Sequence, residues 1–277
     1  MDLPNGQALL DENGLKKILE FIREYKGVDL SSYRQSFLAR RVRIRLSATK
    51  VKSCLEYTRL IEKKPEEFNL FLNELSINVT EFFRDPDVYS AFGNIVLSDI
   101  IRRKEASGAR SLRVWSSACA TGEEPYSIAI LVAEALKDKP DFTAKILASD
   151  VDAQALEAAA KGEYEAKFLQ KIDPEILKKF FIPLGPARYR VREDIRKMVR
   201  FQAHNLFSEP PFKYLDIIFC RNVLIYLNRA QAKELFIGFN RALSPGGYLV
   251  LGKVETLWER DMFVPVDPRM KIYQKLG

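Results

Sequence analysis

The 277-residue chain is long enough for one large domain or two moderate ones, and 47% hydrophobic residues supply a core, which excludes disorder as its ordinary state. Three scattered cysteines, a single histidine and no apolar run near the roughly 18 residues of a membrane span exclude a disulfide framework, a His/Cys zinc cluster and a transmembrane helix. The net charge is +7, and its excess is local: between Leu30 and Leu55 stand Arg34, Arg40, Arg41, Arg43, Arg45, Lys50 and Lys52 without one acid, so an anionic partner is expected.

The opening "MDLPNGQALL" has neither a basic n-region nor an apolar h-region, so no secretory signal is expected and the setting is a reducing cytoplasm. From about residue 12 to 77, apolar residues recur at helical spacing in "GLKKILEFIREYKG", "SSYRQSFLARRVRIRL", "SCLEYTRLIEKK" and "PEEFNLFLNELSI". Ser31 or Ser32 is a candidate cap for the second helix, and Pro65 opens the fourth. At about 100° per residue, Arg34, Arg41 and Arg45 fall on nearly one line of the second helix.

The pattern changes around "NVTEFFRDPDVYSAF", and from Leu112 strands and helices alternate. Strands are expected at "LRVWS", "KILASD", "YLDIIFC", "GYLVLG" and "RMKIYQKL", with helices near 124–138, 153–161 and 229–242. Asn228 is placed to cap the last helix, and "SPGG" to turn into the next strand. This is the rhythm of an α/β fold with a mostly parallel, doubly wound sheet. The stretch "DPEILKKFFIPLGPARYRVREDIRKMVRFQ" interrupts it as a helix, a Pro/Gly link and two strand-like segments, read as a small antiparallel insertion at about 165–200.

Ligands of such sheets sit at the carboxyl ends of the strands, here "SSACATGEE", "SDVD" and "FCRNVLIY". The first of these is where a dinucleotide fold keeps its glycines, yet it has only Gly122, followed by Glu123 and Glu124. Two carboxylates would repel a phosphate at close range. A ligand with ribose hydroxyls and a positive group fits, and S-adenosylmethionine is such a ligand. Asp150 ends the second strand, where an acid accepts from ribose hydroxyls; its alternative is a helix N-cap. One of the two glutamates is accounted for by favourable charge at a helix N-terminus, which leaves the other for the ligand. Cys119, Cys220 and His204 read as structural.

Taken together, "NVTEFFRD", "VWSSACATGEEPYSIAI", "ASDVD" and "LDIIFCRNVLIYL" resemble the chemoreceptor glutamate methyltransferases of bacterial chemotaxis, the CheR family, over nearly the whole chain. The resemblance implies an all-helical basic N-terminal domain (1–77) and a Rossmann-like S-adenosylmethionine-dependent methyltransferase domain (78–277) with the small β insertion. It implies cofactor contacts at Asn78, Thr80, Arg84, Glu124, Asp150, Asn205, Leu206, Arg221 and Asn222, and a substrate-orienting pair in Arg84 and Tyr226. It gives Arg34, Arg40, Arg41, Arg43 and Arg45 a partner in the acidic methylation region of cytoplasmic receptor domains. The products are glutamate methyl esters and S-adenosylhomocysteine, made by a monomer without metal. Some relatives also dock a receptor C-terminal peptide on the β insertion; "IPLGPARYR" is compact and lacks the longer glycine-containing turn associated with that binding, so tethering is not expected here.

Two rivals are disfavoured by residues. Methyltransferases of exocyclic amines resemble one another in an Asn/Asp-Pro-Pro-aromatic loop after the fourth strand, where this chain has "CRNVLIY", and no aromatic platform for a flipped base is evident, so no nucleic-acid substrate is expected. A non-catalytic adaptor would not need the site positions intact, and here each matched position is present.

Overall fold

The computed structural model describes residues 10–26, 30–31, 33–75 and 80–276, which divide into two compact units, 10–75 with 226–231 and 80–225 with 232–276. Asn78 lies outside the described residues.

The first unit is helical: α1 (Glu12–Lys26), α2 (Gln35–Thr49), α3 (Cys54–Lys63) and α4 (Pro65–Leu75). Leu15, Ile18 and Ile22 of α1 meet Leu38, Val42 and Leu46 of α2, Tyr57 and Ile61 of α3 and Phe71 of α4 in one core, as the i, i+3/i+4 spacing requires. Asp11 Oδ1 accepts from Gly14 N at 2.7 Å at the start of α1. Ser53 caps α3 by accepting from Glu56 N, while Glu56 reaches back to Lys52 N at 2.7 Å, a close relative of the capping box. Pro65 opens α4 as expected, whereas the N-cap of α2 is Arg34 and not Ser31, and Ser32 is outside the described residues. The chain returns to this unit at 226–231, where Leu227 bridges Tyr33 and the Tyr226 ring lies 4.7 Å from that of Phe37.

The second unit begins with α5 (Pro86–Ala91), which continues through a π-helical turn at Phe92–Leu97 into α6 (Ser98–Ser107). There follow β1 (Ser111–Ser117), α7 (Glu123–Leu136), β2 (Thr143–Asp150), α8 (Ala153–Lys161), β3 (Glu163–Glu165), α9 (Pro174–Phe180), β4 (Phe181–Gly185), β5 (Arg188–Val191), α10 (Glu193–Arg196), β6 (Val199–Ala203), β7 (Leu215–Cys220), α11 (Arg229–Ala242), β8 (Leu243–Leu251), β9 (Phe263–Asp267) and β10 (Ile272–Lys275). The main sheet runs β6-β2-β1-β7-β8-β10-β9, parallel from β6 to β8 and antiparallel beyond. Strand order therefore reverses at β1, which places the switch point at the carboxyl ends of β1, β2 and β7. Val114, Ile146, Ile217 and Val250, one from each central strand, are fully buried in the core.

The antiparallel insertion is the sheet β3-β5-β4. The second strand-like segment assigned to it from sequence, β6, instead joins the main sheet beside β2, pairing Ile146 with Val199 through to Asp150 with Ala203. An edge strand exposed along one side alternates in polarity as a hairpin strand does, so the pattern could not distinguish them. The "SPGG" stretch is likewise no separate turn: β8 runs through it, with Gly246 at φ +69° and a register irregularity against β7. Asn228 does cap α11, accepting from Gln231 N at 2.9 Å. No described helix is long and apolar enough to cross a membrane.

Candidate active site

The loop from β1 to α7 is wound by residues of positive φ: Ala118 at +59°, Ala120 at +46° and Gly122 at +96°. It is pinned to the end of β2, with Cys119 N donating to Ser149 O at 2.9 Å and Ala120 N to Asp150 Oδ2 at 2.8 Å. A Cβ on Gly122 would lie 2.9 Å from Ala159 Cβ and 3.0 Å from the Tyr164 hydroxyl, which itself donates to Thr121 O. Both backbone conformation and space thus demand glycine there.

The two glutamates take different tasks. Glu123 accepts from Thr121 Oγ1 at 2.7 Å and closes its own loop. Glu124 accepts from Ser116 Oγ at 2.8 Å and faces the Arg221 guanidinium at 3.7 Å. Burial raises the carboxyl pKa of both. Asp150, also buried and also raised by burial, accepts from Ala120 N and from Asp152 N. It is not the cap of α8; Asp152 is, accepting from Gln154 N and Ala155 N.

A second wall is the segment before α5. Phe83 (φ +51°) donates its N–H to Ser127 Oγ at 2.9 Å, and Asp85 (φ +60°) follows the half-buried Arg84. From the end of β7, buried Arg221 donates to Asp85 Oδ2 at 2.6 Å and to Arg84 O at 3.0 Å, with its guanidinium 5.5 Å from the centre of the Tyr89 ring. Arg221 therefore ties the Arg84 segment to the β1 loop through Glu124. Thr80, half-buried, precedes this segment. After β6, His204 N donates to Asp150 O at 2.9 Å, which sets Asn205 and Leu206 beside the end of β2; Asn205 Oδ1 accepts from Phe207 N. Asn222 stands at φ +61° next to Arg221.

The structure thus brings Arg84, Glu124, Asp150, Asn205, Leu206, Arg221 and Asn222 to neighbouring strand ends of one unit. Tyr226 belongs to the helical unit, where its carbonyl accepts from Arg34 N at 2.8 Å.

Sequence reasoning missed Asp85, whose signal was its place beside Arg84, and Glu255. Glu255 is 2% exposed and accepts from Gly252, Val223 and Leu224 N–H groups.

The donor set suits a ligand carrying hydroxyls and positive charge. The buried carboxylates of Asp150 and Glu124 are acceptors with lone pairs beyond the bonds they already make, and nearby Tyr89 Oη and Arg221 Nε are buried without a hydrogen-bond partner among the described residues. S-adenosylmethionine fits this set: Asp150 is a residue that would accept from ribose hydroxyls, and Glu124 one that would hold positive charge.

The basic line of α2 makes contacts of its own within the helical unit. Arg45 pairs with Glu67 of α4 through Nε–Oε1 at 3.0 Å and Nη2–Oε2 at 2.8 Å, and Tyr57 donates to the same carboxylate. Arg41 sits 3.7 Å from Glu74 and over the Phe37 ring. Arg34 Nε donates to Leu227 O at 2.8 Å. Arg41 and Arg45 are thus paired inside the helical unit, with the acids supplied by α4, beyond the acid-free stretch, while Arg34 stays exposed. Arg40 and Arg43 are the arginines of α2 that face solvent.

Two family models match the chain: the all-alpha domain of CheR methyltransferase over residues 13–76 and its SAM binding domain over residues 78–272. The chain is 32% identical over 273 residues to the chemotaxis protein methyltransferase of Salmonella typhimurium, covering 91% of this chain and 90% of that protein. It is 30% identical over 253 residues to the chemotaxis protein methyltransferase of Borreliella burgdorferi, covering 90% and 89%. It is also 33% identical over 264 residues to an uncharacterized 104.1 kDa protein of Rhodobacter capsulatus, covering 95% of this chain but spanning only 27% of that protein's length. With the acidic strand ends, the arginine clamp and both domain matches in place, the chain belongs to the CheR methyltransferase family and is an S-adenosylmethionine-dependent methyltransferase.

Proposed function

We propose that this methyltransferase esterifies glutamate side chains in the cytoplasmic methylation region of chemoreceptors, serving adaptation in chemotaxis. The observation that carries the reading is the site itself: carboxylates and an arginine clamp, with no assigned residue that must act as a base. S-adenosylmethionine, when bound, supplies the methyl group as an electrophile. A glutamate acceptor has a reference pKa of about 4.3 and is ionised at neutral pH, so it is nucleophilic without proton removal. What the protein supplies is placement, and alignment alone is worth roughly 7–11 kcal/mol.

In this reading Arg84 orients the incoming carboxylate by a charge-assisted hydrogen bond, and Tyr226 is the second acceptor-orienting residue by family resemblance. Few such contacts are wanted, because an acceptor held too tightly would be stabilised before reaction. Thr80, Asn205, Leu206 and Asn222 line the cofactor alongside Glu124 and Asp150, and Asn78 belongs with them by family resemblance. The exposed Arg34, Arg40 and Arg43, with Arg41 and Arg45 on the same basic segment, meet the acidic receptor helices; the chemotaxis names of the Salmonella and Borreliella relatives support this partner.

The test varies the acceptor. A receptor cytoplasmic fragment should take up methyl from labelled cofactor, and the same fragment with its methylation-region glutamates changed to glutamine should take up none. Undiminished uptake by the glutamine fragment would assign the methyl to another group.

A further inference from the structure

The loop after β7 carries Arg221 and Asn222, and it is held from beneath by a residue outside the assigned site. Glu255 lies in the segment after β8 with 2% of its surface exposed. Its Oε1 accepts from Val223 N at 2.8 Å and Leu224 N at 2.7 Å, and its Oε2 accepts from Gly252 N at 2.6 Å. Among the described residues it forms no salt bridge with lysine or arginine.

Asn222 explains why these donors converge. Its φ of +61° curls the backbone so that the following N–H groups point to one spot, the geometry of an anion-binding nest. Here the anion is built in. Gly252 lets the two segments meet: a Cβ there would lie 2.7 Å from Glu255 Oε2 and 2.9 Å from Asn222 N.

A buried carboxylate without a direct salt bridge is a costly way to join two loops, since a neutral acceptor would avoid most of the desolvation. Charge-assisted bonds to several N–H groups are, however, stronger and more directional than neutral ones. They fix the peptide planes on the carboxyl side of Asn222, and with them the direction in which Arg221 leaves the chain. The guanidinium of Arg221 is kept charged against its own burial by the carboxylates of Glu124, Asp85 and Glu255.

We propose that Glu255 is a positioning residue for the cofactor site: it touches no reacting group, and its carboxylate sets the backbone that aims Arg221 and Asn222. The inference rests on the S-adenosylmethionine site derived above and is independent of which acceptor is methylated.

Glu255→Gln keeps the shape but turns an N–H donor toward one of the backbone donors. Gly252→Ala keeps the carboxylate but forces the loops apart. The full chain of each variant is titrated calorimetrically with S-adenosylhomocysteine and melted without it. Amide chemical shifts of Val223 and Leu224 are recorded in the cofactor-free protein.

Both variants should bind S-adenosylhomocysteine about tenfold or more weakly, as expected for losing one charge-assisted bond. The two amide resonances should move upfield in Glu255→Gln, while any fall in its melting temperature is smaller than its loss of affinity. Binding by Glu255→Gln within about twofold of wild type, a difference of a few tenths of a kcal/mol, would overturn the proposal. So would weaker binding accompanied by an equivalent fall in melting temperature, the mark of a purely structural tie. If Glu255→Gln does not fold, Gly252→Ala decides, since normal binding by it removes the need for loop apposition. No methyl acceptor enters the experiment, so an error in the acceptor assigned above leaves its result standing.

Discussion

Arg221 and Asp85, 136 residues apart in sequence, are joined at 2.6 Å, with the arginine side chain 1% exposed. That pair, with Glu124 on the other side of the guanidinium at 3.7 Å, closes the Arg84 segment onto the β1 loop.

Removing the arginine leaves Glu124 buried without its cation. Arg221→Ala should therefore cost about 3–5 kcal/mol of stability, the usual penalty for stranding a buried partner. Chemical denaturation would measure it. Arg221→Lys should recover only part of the loss, because an ammonium cannot span Asp85, the Arg84 carbonyl and Glu124 together.

The buried acids impose a sign on the pH dependence. Burial raises the pKa of Asp150, Glu123, Glu124 and Glu255 in the folded protein. Each then contributes stability that is fully present below its unfolded value, near pH 4, and is lost as pH rises through the folded value. Asp150→Asn should remove one such loss: relative to wild type, the cofactor-free variant should gain stability between about pH 4 and pH 7. The same substitution should weaken S-adenosylhomocysteine binding about tenfold or more, through loss of an ionised acceptor. Melting curves across pH and calorimetric titration check the two halves.

Arginines on one helix should behave in opposite ways. Arg45→Ala strands Glu67, which is 7% exposed, and should destabilise the helical unit by about 3 kcal/mol. Arg40→Glu with Arg43→Glu should leave the melting temperature unchanged and raise KM for a receptor fragment. That rise should shrink as salt screens the exposed charges.

The role proposed for Arg84 is acceptor orientation, beside the cofactor contact that the family resemblance implies. Arg84→Ala should lower kcat about a hundredfold, the scale of losing one preorganised charge-stabilising donor. Affinity for S-adenosylhomocysteine should change far less. Equal losses in both would move Arg84 from acceptor orientation to cofactor binding.

Much of this was legible where the signal is local. Alternation and turn residues placed β1, β2, β7 and β8, and Asn228 announced the cap of α11 three residues before Gln231. An acidic rather than glycine-rich β1 loop announced the ligand. What escaped depended on partners distant in sequence. The pairing of β6 with β2 was hidden because an edge strand carries the same period as a hairpin. Arg41 and Arg45 looked free because Glu74 and Glu67 stand on another helix. Glu255 gave no signal, since its partners are backbone N–H groups some thirty residues earlier. The π turn at Phe92–Leu97 and strand β9, with Pro265 in its middle, also lacked a periodic mark.

The most direct test of the central claim is the chemical nature of the methylated product. The protein is incubated with methyl-labelled S-adenosylmethionine and a chemoreceptor cytoplasmic fragment, and the washed receptor is treated with mild alkali. Carboxyl methylation predicts that the label leaves as volatile methanol and that the esters map to glutamates. Label that stays on the receptor through alkali would contradict a carboxylate acceptor.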